Sequence, residues 1–194
     1  DNASAYLTGL IAGRMTETNK VGFIGGMESP VISKFDYGFR AGVKAANPDA
    51  EVMVQYANSF TDSALGKTIA NQMHSKNADI IFTCAGAVGI GAIEAAKENG
   101  KKAIGVVQDQ NSLAPENVIT SAMKNIDVSV EEMLSKVVDG SYKGGEIIVN
   151  TLAMNGVGIP QSSEKNVPPD VLTYVKEEAE KVKSGEVKVP ATKE

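Results

Sequence analysis

The sequence predicts an α/β fold built on a doubly wound parallel sheet. Short apolar runs alternate with stretches of helical periodicity, and the connections between them are short. The apolar runs are continuous rather than alternating, which is typical of parallel strands buried on both faces. A strand–helix–strand order of this kind requires right-handed crossovers, which place helices on both faces of the sheet.

The elements follow one another regularly through the first half of the chain. Apolar residues at helical spacing predict a first helix that begins at residue 1 or 2, and glycines close the first strand at 20–26. Pro30 suits the first turn of the second helix, which carries Phe35. The remaining elements predicted in this half are strands over 51–57, 78–84 and 102–107 and helices that begin at 61 or 62 and at 88.

The pattern is less regular after residue 108. We predict strands over 118–123, 146–152 and 156–159 and helices over 127–138 and 168–183. The last ten residues are polar, and we expect them to be frayed.

Composition narrows the classes of function. The net charge is −5 and Lys and Arg do not cluster, so a nucleic-acid partner is not expected. Cys84 and His74 are the only residues of their types, which excludes an intrachain disulfide and a Cys/His metal site. They belong to opposite ends of one strand, about 20 Å apart at roughly 3.3 Å per residue, so they do not form a catalytic pair. We expect a buried apolar Cys84, an exposed or capping His74, and no enzyme activity.

The glycine-rich segments do not match a phosphate-binding loop. Residues 22–27 read GFIGGM, which lacks both the dinucleotide fingerprint and the Gly-Lys-Ser/Thr ending, and residues 86–91 lack the spacing as well. The next residue, Glu28, would repel a phosphate. No nucleotide cofactor is therefore expected.

Ligands of open parallel sheets bind at the carboxyl ends of the strands. Phe35 lies early in the second helix, and Phe60 lies in the loop after the second strand, so both are near that edge. Two rings facing one cleft would sandwich a planar ligand. The alternative for Phe35 is packing in the core.

Several segments together carry a family resemblance. They are VGFIGGMESPVISKFDYGFRAGVKAANP, YANSFTDSALGK, ADIIFTCAGAVGIGAIEAAKE, IGVVQDQ, VITSAMKNIDVSV and NGVGI. From about residue 3 to residue 185, the chain resembles the basic membrane protein family of bacterial ABC-transporter substrate-binding lipoproteins, which includes purine nucleoside receptors.

The resemblance implies a type I periplasmic-binding-protein-like lobe, mostly the C-terminal one of two, in a chain that lacks the N-terminal part. It assigns 1–107 to the second lobe, 108–145 to the first lobe and hinge, and 146–194 to a return strand and helix of the second lobe. The surface left by the missing lobe would be apolar, so a homodimer is also expected.

The resemblance also implies roles for individual residues. Phe35 and Phe60 would flank a nucleobase, and Lys124 would donate a hydrogen bond to the ligand. The strand-end residues that would line the pocket are Gly26, Ala85 and Gly86.

One position departs from the family pattern. Val107, two residues before Asp109, stands where the family often has an Asp that binds ribose hydroxyls. A base without its sugar, or another small planar molecule, therefore stays open as the ligand.

The function implied is capture of a small planar solute for an ABC permease, at the bacterial surface or in the periplasm, by a lipid-anchored protein. A ligand-sensing domain of a regulator or surface antigen is the first alternative. A small α/β hydrolase or dehydrogenase is the second.

Overall fold

The computed structural model describes residues 1–192. The strands are β1 (Lys20–Gly25), β2 (Glu51–Tyr56), β3 (Ile80–Cys84), β4 (Lys102–Val107), β5 (Val118–Lys124) and β6 (Val157–Gly158). The helices are α1 (Asn2–Met15), α2 (Pro30–Ala46), α3 (Ser63–Ser75), α4 (Ala87–Glu98), α5 (Ile126–Val138) and α6 (Pro169–Ser184), with two 3-10 helices at Asn111–Leu113 and Gln161–Lys165. None of the helices described has the length and apolar sequence that crossing a bilayer requires.

The strands form one sheet in the order β2-β1-β3-β4-β5-β6. The first five are parallel, and β6 runs antiparallel to β5. From β1 the chain moves outward to β2 in one direction, whereas from β3 it moves through β4 to β5 in the other. The order therefore reverses between β1 and β3, and a crevice is expected at the carboxyl ends of these two strands.

Helices cover both faces of the sheet, so the predicted doubly wound α/β fold is confirmed. On one face, α1, α2 and α6 enclose a core in which the rings of Phe23, Phe39 and Phe82 lie 5.1–6.3 Å apart. On the other face, α3 and α4 cover a second core that includes Ile24 and Ile81. The two cores hold the strand ends in fixed positions.

One predicted strand is wrong. Residues 146–152 have no regular secondary structure, although the sequence there is apolar. A strand needs a free edge to pair with, and the edge beside β5 is occupied by β6 through the Met123–Gly158 and Lys124–Val157 pairs.

The end of the chain also differs from expectation. The Val187 amide donates to the Lys181 carbonyl at 3.0 Å, and the Asn2 side-chain amide donates to the Val189 carbonyl at 2.9 Å. Both valines pack against the core. Residues 185–190 are therefore held in place rather than frayed, while 193 and 194 lie outside the described residues.

A segment that we call the α5 arm (126–153) has no core of its own. Helix α5 contains no buried residue. The large apolar side chains exposed along the arm are Ile126, Val130, Leu134, Val137, Val138, Tyr142, Ile147 and Val149. By contrast β5, which lies inside the predicted first-lobe segment, pairs with β4 in the main sheet. The arm thus leaves the sheet body (1–125 and 154–192) only after β5.

Candidate functional site

The crevice between β1 and β3 has a floor made of backbone. The Gly26 amide donates to the Cys84 carbonyl at 3.0 Å, so the chain after β1 follows β3 for one more residue. The Asn58 amide donates to the Gly26 carbonyl at 2.9 Å, which ties the loop after β2 to the same floor. The loops after the first three strands therefore meet at one edge of the sheet, as predicted.

Phe60 lies across this floor. A Cβ atom at Gly26 would overlap the Phe60 ring, so the ring rests directly on the glycine backbone. The Phe60 carbonyl accepts a hydrogen bond of 2.8 Å from the amide of Ala87, the first residue of α4. The side chain remains 38% exposed. An exposed aromatic face on a fixed floor is suited to stacking against a flat molecule.

The loop that carries Phe60 is fixed by hydrogen bonds of neighbouring side chains. The Ser59 hydroxyl accepts from the amides of Thr61 and Asp62, both at 3.2 Å. Asp62 in turn caps α3, because its carboxylate accepts from the Leu65 amide at 2.9 Å. The ring is thus positioned before any ligand arrives, which reduces the entropy lost on binding.

Gly86 and Ala85 follow β3 on the other side of the ring. Gly86 has a φ of +58°, and a Cβ there would also approach the Phe60 carbonyl oxygen to 2.8 Å, so glycine is required twice over. Gly86 is exposed at the floor. The Ala85 methyl is instead buried in the second core. Only the backbone of this residue is available to line the crevice.

Phe35 does not reach the crevice. Its side chain is 2% exposed, and its ring lies 6.3 Å from that of Phe82 in the first core. The predicted pair of rings facing one cleft is therefore not formed, and the alternative role of Phe35, core packing, is the one observed. The reason is helical periodicity, because Phe35 and Phe39 are four residues apart and lie on the same face of α2.

Lys124 ends β5 at the same edge of the sheet. Its ammonium nitrogen lies 3.1 Å from a carboxylate oxygen of Asp1, and its side chain is only partly buried. An ammonium group has three donors, so one ion pair leaves donors available for a ligand.

Between β3 and β5, the end of β4 presents Val107. This residue has a φ of +69° and is 40% exposed. A left-handed conformation is a genuine outlier for a β-branched residue. Asp109, the acidic residue nearby, is engaged within the loop, since its carboxylate accepts from the Asn111 amide at 3.0 Å.

Cys84 ends β3, whereas His74 lies in the last turn of α3, which precedes β3. Cys84 is buried, as predicted, and burial raises the pKa of its thiol to about 12. His74 was expected to be exposed or capping, but it is buried and lies 2.8 Å from the Ala78 carbonyl through Nδ1. Burial lowers the pKa of this imidazole. Within residues 1–192, no group of three or more His, Cys, Asp and Glu residues is arranged to hold a metal ion.

Met27 is an exposed residue that the sequence analysis did not select. It directly follows Gly26 and is 51% exposed. A flexible thioether adapts well to the edge of a flat ligand. The sequence could have identified Met27 by its type and position, because it is an apolar residue in a loop that follows a strand, where polar residues are usual.

A second concave region lies on the far side of Lys124. It is a cavity of about 570 Å³ between the start of α1, Lys124 and residues 148–153. One of its walls is the α5 arm, from which only Leu152 packs against the first core. The floor at Phe60 is built instead from the sheet body, through the contacts of Phe60 with Gly26 and of the Phe60 carbonyl with the Ala87 amide.

An exposed aromatic floor at the switch point of a parallel sheet is suited to binding a small solute. A solved solute-binding protein of an ABC transporter system from Aeropyrum pernix K1 has this fold, with a TM-score of 0.87 and 26% identity. That match covers 100% of this chain and 65% of the other. The chain belongs to the Bmp family, the PnrA-like substrate-binding proteins of ABC transporters, whose model matches residues 1–193.

Curated relatives agree with this assignment and confirm the predicted family. The CD4+ T-cell-stimulating antigen of Listeria monocytogenes serovar 1/2a is 40% identical over 206 residues, which cover 98% of this chain and 57% of that protein. The ABC transporter nucleoside-binding protein BmpA of Lactococcus lactis subsp. cremoris is 37% identical over 208 residues, with 98% and 58% covered. The chain thus spans a little over half the length of the curated relatives it matches.

Proposed function

We propose that the protein containing this chain captures a small planar solute, such as a purine nucleoside or nucleobase, for a bacterial ABC importer. The observation that carries the proposal is the exposed Phe60 ring, held on a glycine floor at the switch point of the sheet. Family membership supports a solute-binding role. The name of the Lactococcus relative, a nucleoside-binding protein, supports the class of solute.

The residues of the crevice have distinct roles in this proposal. Phe60 stacks on the ligand, Gly26 lets the ring lie on the backbone, and the exposed Gly86 allows the ligand to approach the floor. Lys124 donates a hydrogen bond. Stacking of a base on an aromatic side chain contributes about 1–3 kcal/mol, enough to orient a flat ligand. Glu28, exposed beside the floor, disfavours a phosphorylated ligand.

We infer that a second lobe closes over the crevice. Closure would bury the ligand and present a surface to the ABC permease. We assign the α5 arm to that second lobe, because exposed apolar side chains in such number require cover. The predicted division places 1–107 and 146–194 in one lobe and 108–145 in the other. The pairing of β5 with β4 favours moving the departure point to the end of β5.

The same apolar surface can instead be covered by a second copy of the chain. We expect the 194-residue chain to dimerise through the α5 arm when no second lobe is present. Light scattering is the direct measurement, and a monomer at all concentrations would contradict this expectation.

We place the complete protein at the bacterial surface or in the periplasm, anchored by lipid, with binding rather than turnover as its activity. A signal peptide and a lipidated Cys encoded upstream would support this placement. Incubation with nucleosides that yields no product would support the absence of turnover.

A second candidate is a surface antigen or the sensing domain of a regulator. The name of the Listeria relative, a T-cell-stimulating antigen, is the observation that favours the former. Deletion of the gene separates the candidates, because only the transport role predicts lost purine uptake. An upstream DNA-binding helix pair would favour regulation.

Calorimetric titration of the complete gene product with purines, pyrimidines and their nucleosides tests the proposal. We expect Phe60→Ala to weaken binding about tenfold or more, given the magnitude of base stacking. Leu113→Ala is the matched control, since Leu113 is an exposed apolar residue in the 3-10 helix between β4 and β5. Absence of binding to the whole panel would overturn the proposed solute class.

A further inference from the structure

Two neighbouring glycines at the end of β1 carry one aromatic ring each. A Cβ atom at Gly25 would approach two carbon atoms of the Tyr56 ring to 2.7 Å, and a Cβ atom at Gly26 would overlap the Phe60 ring. Successive residues of an extended chain point to opposite faces of a sheet. Tyr56 accordingly packs against the first core, whereas the Phe60 carbonyl bonds the Ala87 amide of α4 on the other face. The end of β1 is therefore held between the two rings.

A short loop connects the two rings. Its amides at 57–58 donate to the carbonyls of the two glycines, both at 2.9 Å. The strand before the loop, β2, is at the edge of the sheet, so β1 is the neighbour that holds its end. Because the loop is short and bound to β1, a displacement of Tyr56 passes along it to Phe60.

The Tyr56 hydroxyl has a buried partner. It donates to the Asp36 carboxylate at 3.2 Å. Burial raises the pKa of Tyr56 to about 12, so the hydroxyl keeps the proton that it donates. Asp36 is 3% exposed, and the Arg40 Nε lies 2.9 Å from its other carboxylate oxygen. Asp36 and Arg40 both belong to α2. The helix therefore holds the carboxylate in place, and the hydrogen bond fixes the Tyr56 ring.

We propose that Tyr56, held by Asp36, is a positioning residue that sets the orientation of the Phe60 ring for solute. The inference rests on the solute-capture role proposed above. Tyr56 acts through the loop at 57–59, which it keeps in the arrangement that lays the Phe60 ring on Gly26. When a smaller fraction of the protein has the binding arrangement, the apparent affinity falls in proportion.

Calorimetric titration of the complete gene product with the panel of purines, pyrimidines and their nucleosides tests this, and the tightest binder of the panel serves as the probe. Tyr56→Phe removes the hydroxyl and keeps the ring. It lowers the affinity about three- to tenfold, which corresponds to the loss of one hydrogen bond.

Tyr6→Phe is the matched control. The Tyr6 hydroxyl donates to the buried Glu178 carboxylate at 3.3 Å, between α1 and α6. Burial raises the pKa of Tyr6 to about 12 as well. Both variants should lower the urea midpoint by a similar amount, but Tyr6→Phe should change the affinity by less than about twofold. Equal losses of affinity in the two variants would overturn the positioning role.

The same change in a Phe60→Ala background separates positioning from general destabilisation. Tyr56→Phe should alter the affinity by less than about twofold there, since the ring that it positions is absent. A loss in that background as large as the loss in the unmodified protein would overturn the proposal.

Fluorine NMR with para-fluorophenylalanine at position 60 needs no solute. Tyr56→Phe should shift or broaden this resonance, and Tyr6→Phe should leave it unchanged. An unchanged resonance in Tyr56→Phe would overturn the role of Tyr56 and leave solute capture standing. Binding of no member of the panel would instead overturn the proposed function itself.

Discussion

Helices α2 and α5 have similar amphipathic sequences and opposite surroundings. In α2, Phe35 and Phe39 are buried against the sheet, whereas in α5 Val130 and Leu134 are about half exposed. The apolar stripe makes each segment a helix, but only the sheet body supplies a surface that covers it. Periodicity therefore predicts a helix without predicting its partner. Within residues 1–192, the α5 arm is the segment whose apolar side chains are left exposed.

The two regions should differ most in how much the truncation of one side chain lowers the free energy of unfolding. Phe39→Ala opens a cavity in the first core and should lower the free energy of unfolding by about 3–5 kcal/mol. Leu134→Ala removes an exposed side chain and should change it by less than about 0.5 kcal/mol. Urea denaturation of the 194-residue chain measures both. A cost for Leu134→Ala close to that of Phe39→Ala would mean that the arm is packed.

Gly26→Ala tests the tight packing at the edge of the sheet body. The new methyl group would displace the Phe60 ring, so we expect a destabilisation of about 1–3 kcal/mol. Purine affinity of the complete protein should also fall. The matched change in the arm is Gly144→Ala, where a Cβ meets no neighbour within 4 Å. Denaturation and titration of both variants give the comparison, and an unaffected Gly26→Ala would contradict the ring's placement.

Backbone strain at Val107 predicts a smaller effect on the free energy of unfolding. Unlike the preceding variants, the substitution should stabilise the chain. Asn tolerates the left-handed region, so Val107→Asn should raise the free energy of unfolding by about 1 kcal/mol. Val138→Asn, at the exposed end of α5, should not stabilise the chain. Thermal unfolding measures both. Destabilisation by Val107→Asn would show that packing, rather than backbone conformation, dominates at this position.

The smallest effect concerns the only histidine, His74, which lies in the sheet body. Burial lowers its pKa below the ordinary 6.5, so the unfolded chain binds the proton more readily than the folded chain. The resulting contribution to stability is present above pH 6.5 and is lost as the pH falls through the lowered pKa. An NMR titration should place the midpoint below 6.5. A midpoint above that value would contradict the buried placement, and His74→Gln should remove this part of the pH dependence.

Much of the sheet body was predictable from the sequence. Apolar runs and glycine endings located the first five strands, and strand order then placed Gly26, Phe60 and Gly86 at one edge. These predictions depend on local patterns, which the sequence carries directly.

The failures have separate causes. Phe35 was misplaced because its position near the crevice does not reveal the direction of its ring, although its spacing from Phe39 favoured the core. The strand over 146–152 was expected from composition alone, yet β6 occupies the edge it would need. The left-handed backbone of Val107 could not be predicted from the sequence either. It occurs in a loop that is held by the hydrogen bonds of Gln110.

Photolabelling of the complete protein with 8-azidoadenine, followed by peptide mass spectrometry, tests the central claim most directly. The claim is that solute binds on the Phe60 floor rather than in the cavity beside the α5 arm. We predict label within 26–28 and 58–62, with competition by excess adenine. Competed label confined to 148–153 would contradict the account.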